Sequence, residues 1–132
     1  MRTRTKLVLT AVGIASAGAT FVGVATAADS TDTVTAPYAQ AAAQVDRDGA
    51  LAQHTNTVES VTKAGTGLYC VKLASSIDAA RSIPEATLSD RANWGSEIYA
   101  RLNAGTCPEN SVRVTTGTDG TAKDQPFFLV IP

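Results

Sequence analysis

The chain has 132 residues, 44% of them hydrophobic and 5% aromatic, with eleven basic side chains against twelve acidic ones and a formal net charge of −1. The cations are scattered, without a stripe or cluster, which excludes an electrostatic nucleic-acid binder. Two cysteines and one histidine leave little material for metal or thiol chemistry.

Arg2, Arg4 and Lys6 form a short positive start, and an apolar, small-residue run follows from Leu7 to Val24. Ala25-Thr26-Ala27 then supplies the small residues a signal peptidase accepts. The pattern predicts a secretory signal peptide over residues 1–27. The run is as long as a membrane span, but its Gly and Ala content and small-residue exit favour cleavage. Thr3 separates Arg2 from Arg4, so there is no twin-arginine pair, and the first cysteine, Cys70, lies far from the cleavage site. The ending Leu129-Val130-Ile131-Pro132 carries no sorting tail or anchor helix. The expectation is an extracellular protein, released or loosely held in the cell wall, with no membrane association after cleavage. Processing would leave 105 residues, enough for one domain, with a charge of −4.

In an oxidising compartment Cys70 and Cys107 are expected to pair. The bridge would close a segment of 37 residues, worth about 3–4 kcal/mol on the chain-entropy estimate. A small domain has a thin core, so that is a large share of a typical total of about 5–15 kcal/mol. There is no CxxC spacing to favour a metal pair or a reactive thiol.

Residues 28–37 are polar and threonine-rich and read as a flexible lead-in. From Tyr38 the pattern changes. Ala41 to Val45 extends, Asp48-Gly49 signals a hairpin turn, and Ala50 to Thr55 returns. The Asp-Gly signal favours this hairpin over a single helical turn across residues 39–43. Val58, Val61 and Thr62 belong to the next strand, which Gly65-Thr66-Gly67 breaks. Leu68 to Leu73 resumes it, with Tyr69, Val71 and Leu73 on one apolar face and Leu68, Cys70 and Lys72 on the other. The first face should point into the core. Cys70 then lies on the outer or edge face, within reach of a loop holding Cys107-Pro108.

Ser75 to Arg81 reads as a turn or irregular segment. Ile83 to Leu88 is a weak strand, placed at an edge or bulge because Pro84 has no N–H to donate; a short helix over residues 85–92 ranks second. In Ser96 to Leu102, Ile98, Ala100 and Leu102 alternate with Glu97, Tyr99 and Arg101, the mark of a half-buried strand. Asn103 to Asn110 is a loop, Val112 and Val114 anchor another strand, Asp119-Gly120 turns the chain, and Phe127 to Ile131 closes it. About eight short strands with Gly or Asp-Gly punctuation predict an all-β fold, a small antiparallel β-sandwich over residues 38–132.

Three stretches carry a resemblance: Ala43-Gln44-Val45-Asp46-Arg47-Asp48-Gly49, Ser60 through Val71 with its Gly65-Thr66-Gly67, and Asp124-Gln125-Pro126-Phe127-Phe128-Leu129-Val130-Ile131. Their order resembles uncharacterised secreted proteins of actinobacteria with a β-sandwich-like domain. It is also weakly similar to β-modules at the ends of phage tail-fibre-type chains. The resemblance implies a shared fold and carries no catalytic residue across.

The chemistry screen returns little. His54 is the only possible base for a Ser-His-Asp arrangement, and no Gly-x-Ser-x-Gly elbow is present. Asp46-x-Asp48-Gly49 looks like part of a calcium loop, but the later carboxylates such a loop requires do not follow, and a hairpin turn explains the same residues. Glu85, Asp90, Glu97 and Asp124 are carboxylates without catalytic spacing. No metal site and no cofactor are implied. Trp94, flanked by Asn93 and Gly95, is the best candidate for ligand contact. It is either a ring exposed on a loop for stacking or an anchor buried where the strand starts, and tryptophan usually prefers the second. The leading expectation is a non-enzymatic module binding an extracellular protein or glycan, with no oligomeric state fixed by composition. The alternatives are an inhibitor of an extracellular protease, presenting the loop Asn103 to Asn110, and a small hydrolase using His54.

Overall fold

A computed structural model describes residues 34–102 and 105–132. The leader expected over residues 1–27 lies outside the described residues. Among the described residues nine strands form two antiparallel sheets: β1 (Ala41–Val45), β2 (Leu51–His54), β3 (Val58–Gly65), β4 (Leu68–Leu73), β5 (Glu85–Leu88), β6 (Ser96–Leu102), β7 (Ser111–Thr118), β8 (Thr121–Ala122) and β9 (Phe127–Ile131). One sheet has the order β2-β1-β9-β5; the other runs β3-β4-β7-β6, with β8 paired to β7. The architecture is the expected small β-sandwich. The sequence reading places every strand except β8, whose two residues are too few to show an alternation.

Alternate side chains seal the space between the sheets. Ala41, Ala43 and Val45 from β1 and Phe127, Leu129 and Ile131 from β9 meet Tyr69, Val71 and Leu73 from β4 and Val112 and Val114 from β7, all buried. The face assigned to β4 from its pattern is therefore the core face. Tyr69 sits edge-on against Phe127 across the gap, with ring centroids 5.1 Å apart, a favourable geometry for two quadrupoles. The expected strand from Ile83 begins only at Glu85, after Pro84, which has no N–H to donate, and β5 is the edge strand of its sheet.

The disulfide joins Cys70 to Cys107, with Cα atoms 5.4 Å apart. Cys70 does lie on the outer face of β4, but β4 is an interior strand, between β3 and β7. Both cysteines are buried, and the bridge holds Cys107 against the outer face of β4. At that same end Asn110, at φ 56°, turns the loop back into β7. Its Nδ2 donates to the carbonyls of Leu73 and Ala74, each at 3.0 Å, and its Oδ1 accepts from the Ala79 N–H at 2.9 Å. One amide thus ties the end of β4 to the 3-10 turn Ala79–Arg81.

The opposite end carries the β1–β2 turn, the β3–β4 turn, the β5–β6 loop and the stretch from β7 through β8 to β9. Gly67 in the β3–β4 turn has φ +65°, and a Cβ there would fall 2.3 Å from the Thr116 carbonyl oxygen. Its N–H donates to Asp124 Oδ1 at 2.6 Å, and Asp124 also pairs with Lys63 at 3.0 Å. Burial alone would raise the Asp124 carboxyl. The Gly67 N–H and Lys63 outweigh it and hold the group below the usual carboxylate range. This tie therefore supports the fold at neutral pH and is lost as pH falls through the lowered value.

Gly67→Ala should cost at least about 2–3 kcal/mol, from the positive φ and the backbone collision together. A shift of less than about 0.5 kcal/mol in denaturant unfolding would contradict this geometry. A second expectation concerns alkaline pH. Burial, reinforced by the charge of Asp124, pushes the Tyr69 phenol up to about 12 from 10.0. The neutral phenol favours the folded state, so its contribution is complete below pH 10 and is lost as pH rises from there toward 12. The loss should reach about 2–3 kcal/mol. Unfolding curves across that window should show the step in the natural chain and lack it in Tyr69→Phe.

Candidate functional site

The exposed-or-buried question at Trp94 has a clear answer: its side chain is 99% exposed. It stands on the β5–β6 loop, and the usual preference of tryptophan for the interior is overridden. The reason lies in the tertiary arrangement. Gly95 takes φ +78°, turning the chain into β6 immediately after the ring, and the core position at this end is taken by Gln125.

Gln125 is fully buried although it is polar. The inward face of β7 changes here from Val112 and Val114 to Thr116 and Thr118, which supply hydroxyls. Thr116 Oγ1 donates to the Lys123 carbonyl at 2.6 Å and accepts from the Gln125 N–H at 3.2 Å. Gln125 Nε2 donates to Thr118 Oγ1 at 3.0 Å, and Gln125 Oε1 accepts from the Asn93 N–H at 3.1 Å. The amide side chain is therefore satisfied on both sides, and it holds the residue before Trp94.

A second hold comes from the β1–β2 turn. Arg47 Nη1 donates to Asn93 Oδ1 at 3.0 Å, and Arg47 Nη2 donates to the Arg91 carbonyl. Arg91 in turn reaches Asp46 Oδ1 at 2.5 Å. Arg47 is itself fixed from inside the sandwich, because the Tyr69 hydroxyl donates to its carbonyl at 2.7 Å. On the third side, the Asp119 N–H reaches the Gly95 carbonyl at 3.4 Å, and Ser96 Oγ bonds Thr118 Oγ1 at 2.8 Å. Trp94 is thus an exposed ring on a loop tied from three directions. Beside it lies a cavity of about 390 Å³ lined by Leu88, Ser89, Asp90, Asn93, Trp94 and Ser96, among others.

The two candidates named from sequence stand at one place and do different work: Trp94 offers the surface, and Asn93 anchors it through both backbone and side chain. Arg47 and Gln125 were not singled out from sequence. A buried glutamine beside Thr116 and Thr118 is visible only once β7 and the start of β9 are brought together.

The remaining candidates are placed as follows. His54 ends β2, half-buried, with Nδ1 2.9 Å from the Thr55 carbonyl; the N–H of Val34 donates to the His54 carbonyl. Asp46 is paired to Arg91, and Asp48 Oδ1 accepts from the Ala50 N–H at 3.0 Å, closing the hairpin turn. Glu97 accepts from the Gly120 N–H, Asp90 from the Ser89 hydroxyl, and Asp124 is held as described. Among the described residues, no three His, Cys, Asp or Glu side chains are grouped to hold a metal ion, and no helix is long and apolar enough to cross a membrane.

No family model matches the chain, and neither a curated protein nor a solved structure is significantly similar to it.

Gln125→Leu removes the acceptor of the Asn93 N–H and the donor to Thr118 while keeping the volume. The expected cost is about 1–3 kcal/mol. Hydrogen exchange should quicken at Asn93 beyond the change seen at the core amides of β1 and β9; equal changes at all three would refute a specific hold on the loop.

Proposed function

We propose that the protein is a non-catalytic extracellular binding module whose contact surface is the Trp94 loop. One observation carries this reading: the chain's single tryptophan is held fully in water by a loop whose own polar groups are satisfied from three sides. A ring that is rigid and already exposed binds with little ordering cost. Trp is the residue most often found to dominate contact energies, because it brings a large flat apolar area with few rotamers. The exported setting is supported by the leader-like pattern of residues 1–27 and by a disulfide that suits an oxidising compartment. The partner is then a wall glycan or an extracellular protein.

Trp94→Ala should leave the thermal midpoint nearly unchanged, since the ring packs on nothing. It should reduce capture on cell-wall material, or by the protein partner, by about tenfold or more. Equal capture by the natural chain and Trp94→Ala would remove this reading.

A further inference from the structure

A strand at the end of a sheet offers a row of unpaired N–H and C=O groups to another chain, and folds blunt such edges with bulges, proline, charge or short length. The outer strands of the two sheets are β2, β5, β3 and β6. β2 has four residues, pairs with β1 across a register shift, and has its His54 carbonyl taken by the Val34 N–H. β3 carries two register shifts and the charges of Glu59 and Lys63. β5 has four residues and follows Pro84. β6 has no bulge, no proline and no shortness to protect it: its seven residues, Ser96–Leu102, stand in unbroken register with β7. Its charges, Glu97 and Arg101, are opposite in sign and symmetric about Tyr99.

The direction of the open backbone groups follows from β7. The Thr116 N–H donates to the Gly67 carbonyl, and the Thr116 carbonyl accepts from the Lys123 N–H, so Thr116 turns its backbone away from β6. Backbone direction alternates along an antiparallel ladder. Thr115 and Gly117 therefore face Tyr99 and Glu97, their partners on β6, while Ile98 and Ala100 turn N–H and C=O to the open edge. On the outer face Arg101 lies opposite Arg113 of β7, and like charges directly opposite destabilise a strand pair. Among the described residues Arg101 has no carboxylate partner. Tyr99, on the same face, is 64% exposed.

We infer that β6 pairs edge to edge with β6 of a second copy of this chain, antiparallel about a two-fold axis at Tyr99. Pairing through the open edge must oppose residues whose backbone groups point outward, which sets Ile98 and Ala100 against each other across the axis. In that register Ser96 of one copy meets Leu102 of the other, Glu97 meets Arg101 twice over, and the two Tyr99 rings meet at the axis. Such a contact is isologous, the same patch serving both copies. A slip of two residues either way breaks both charge pairs, so the charges fix the register as well as the partner. Glu97 Oε1 accepts from the Gly120 N–H at 2.7 Å, which leaves its second carboxylate oxygen for Arg101 of the other copy. A uniformly basic or acidic peptide would match one charge of the strand and be repelled by the other. The inference stands apart from the reading of the Trp94 loop as a contact surface, and it sets one such loop at each end of the paired strands.

The natural chain, purified from culture fluid, provides the first test. Sedimentation velocity should show a reversible dimer that dissociates on dilution through about 1–100 µM, the range of a small interface. Amide exchange at Ile98 and Ala100 should slow severalfold from dilute to concentrated samples, while Tyr99, whose N–H faces β7, stays unchanged. Arg101→Glu opposes two carboxylates at both ends of the contact, and Glu97→Arg opposes two cations. Each variant alone should dimerise about tenfold or more weakly than the natural chain. An equal mixture of the two should restore the dimer, because every opposed pair then differs in sign. Misfolded variants cannot produce that restoration, and the exchange measurement needs no variant. A natural chain that stays monomeric, with exchange at Ile98 and Ala100 independent of concentration, would overturn the inference. So would a dimer that both variants form as readily as the natural chain.

Discussion

A phenol buried between two sheets must find an acceptor, and the acceptor it finds sets the far geometry of this molecule. Tyr69 lies wholly inside the sandwich against Phe127, and its hydroxyl reaches the carbonyl of Arg47. That bond fixes the backbone of the β1–β2 turn at the point from which the Arg47 guanidinium departs. The guanidinium then spans to Asn93 and the Arg91 carbonyl. Leaving a buried hydroxyl unpaired costs about 1–3 kcal/mol, so the core enforces the position of a surface loop. The route from packing to presentation is short: one ring, one carbonyl, one planar fork of donors.

The two ends of the sandwich solve the closure problem differently. The end holding Cys107 is tied by a covalent bridge from the outer face of β4 and by Asn110, which serves three backbone groups with one amide. The other end has no covalent tie and is held by polar contacts: Gln125 from below, Arg47 from one side, the Asp119 turn from the other, and the ion pairs Lys63–Asp124 and Arg91–Asp46. Those ties reach the backbone on both sides of Trp94 and leave the ring itself uncovered.

Much of this architecture was legible in the sequence because its causes are local. The alternation of Tyr69, Val71 and Leu73, the Asp48-Gly49 and Asp119-Gly120 turns, and the edge position forced near Pro84 each depend on a few neighbouring residues. The Cys70–Cys107 pairing was legible because the sequence has only two cysteines. What stayed hidden depends on partners distant along the chain. The Gln125 amide has no purpose until Thr118 and Asn93 come beside it, and Asn110 looks like any loop asparagine until Ala79 is folded against it. The exposure of Trp94 was read as the less favoured alternative, since residue type alone argues for burial. It followed instead from Gln125 occupying the interior and from Gly95 turning the chain outward, two facts of tertiary register.

That exposure is also the feature with the clearest energetic meaning. This core is built largely from alanine and valine, with Tyr69 and Phe127 its largest side chains. Full burial of a large aromatic contributes about 1.5–3 kcal/mol, against a typical total of about 5–15 kcal/mol for a whole domain. A domain this small leaves that contribution unused at Trp94, while using a fully satisfied polar network to hold the ring out. The Gln125 network supports the fold through Asn93 and Thr118, but the exposed ring adds no burial to it. The unburied ring is a reserve of hydrophobic and quadrupolar interaction that association alone can draw on, and its fixed loop means that little of it is spent on ordering when a partner arrives.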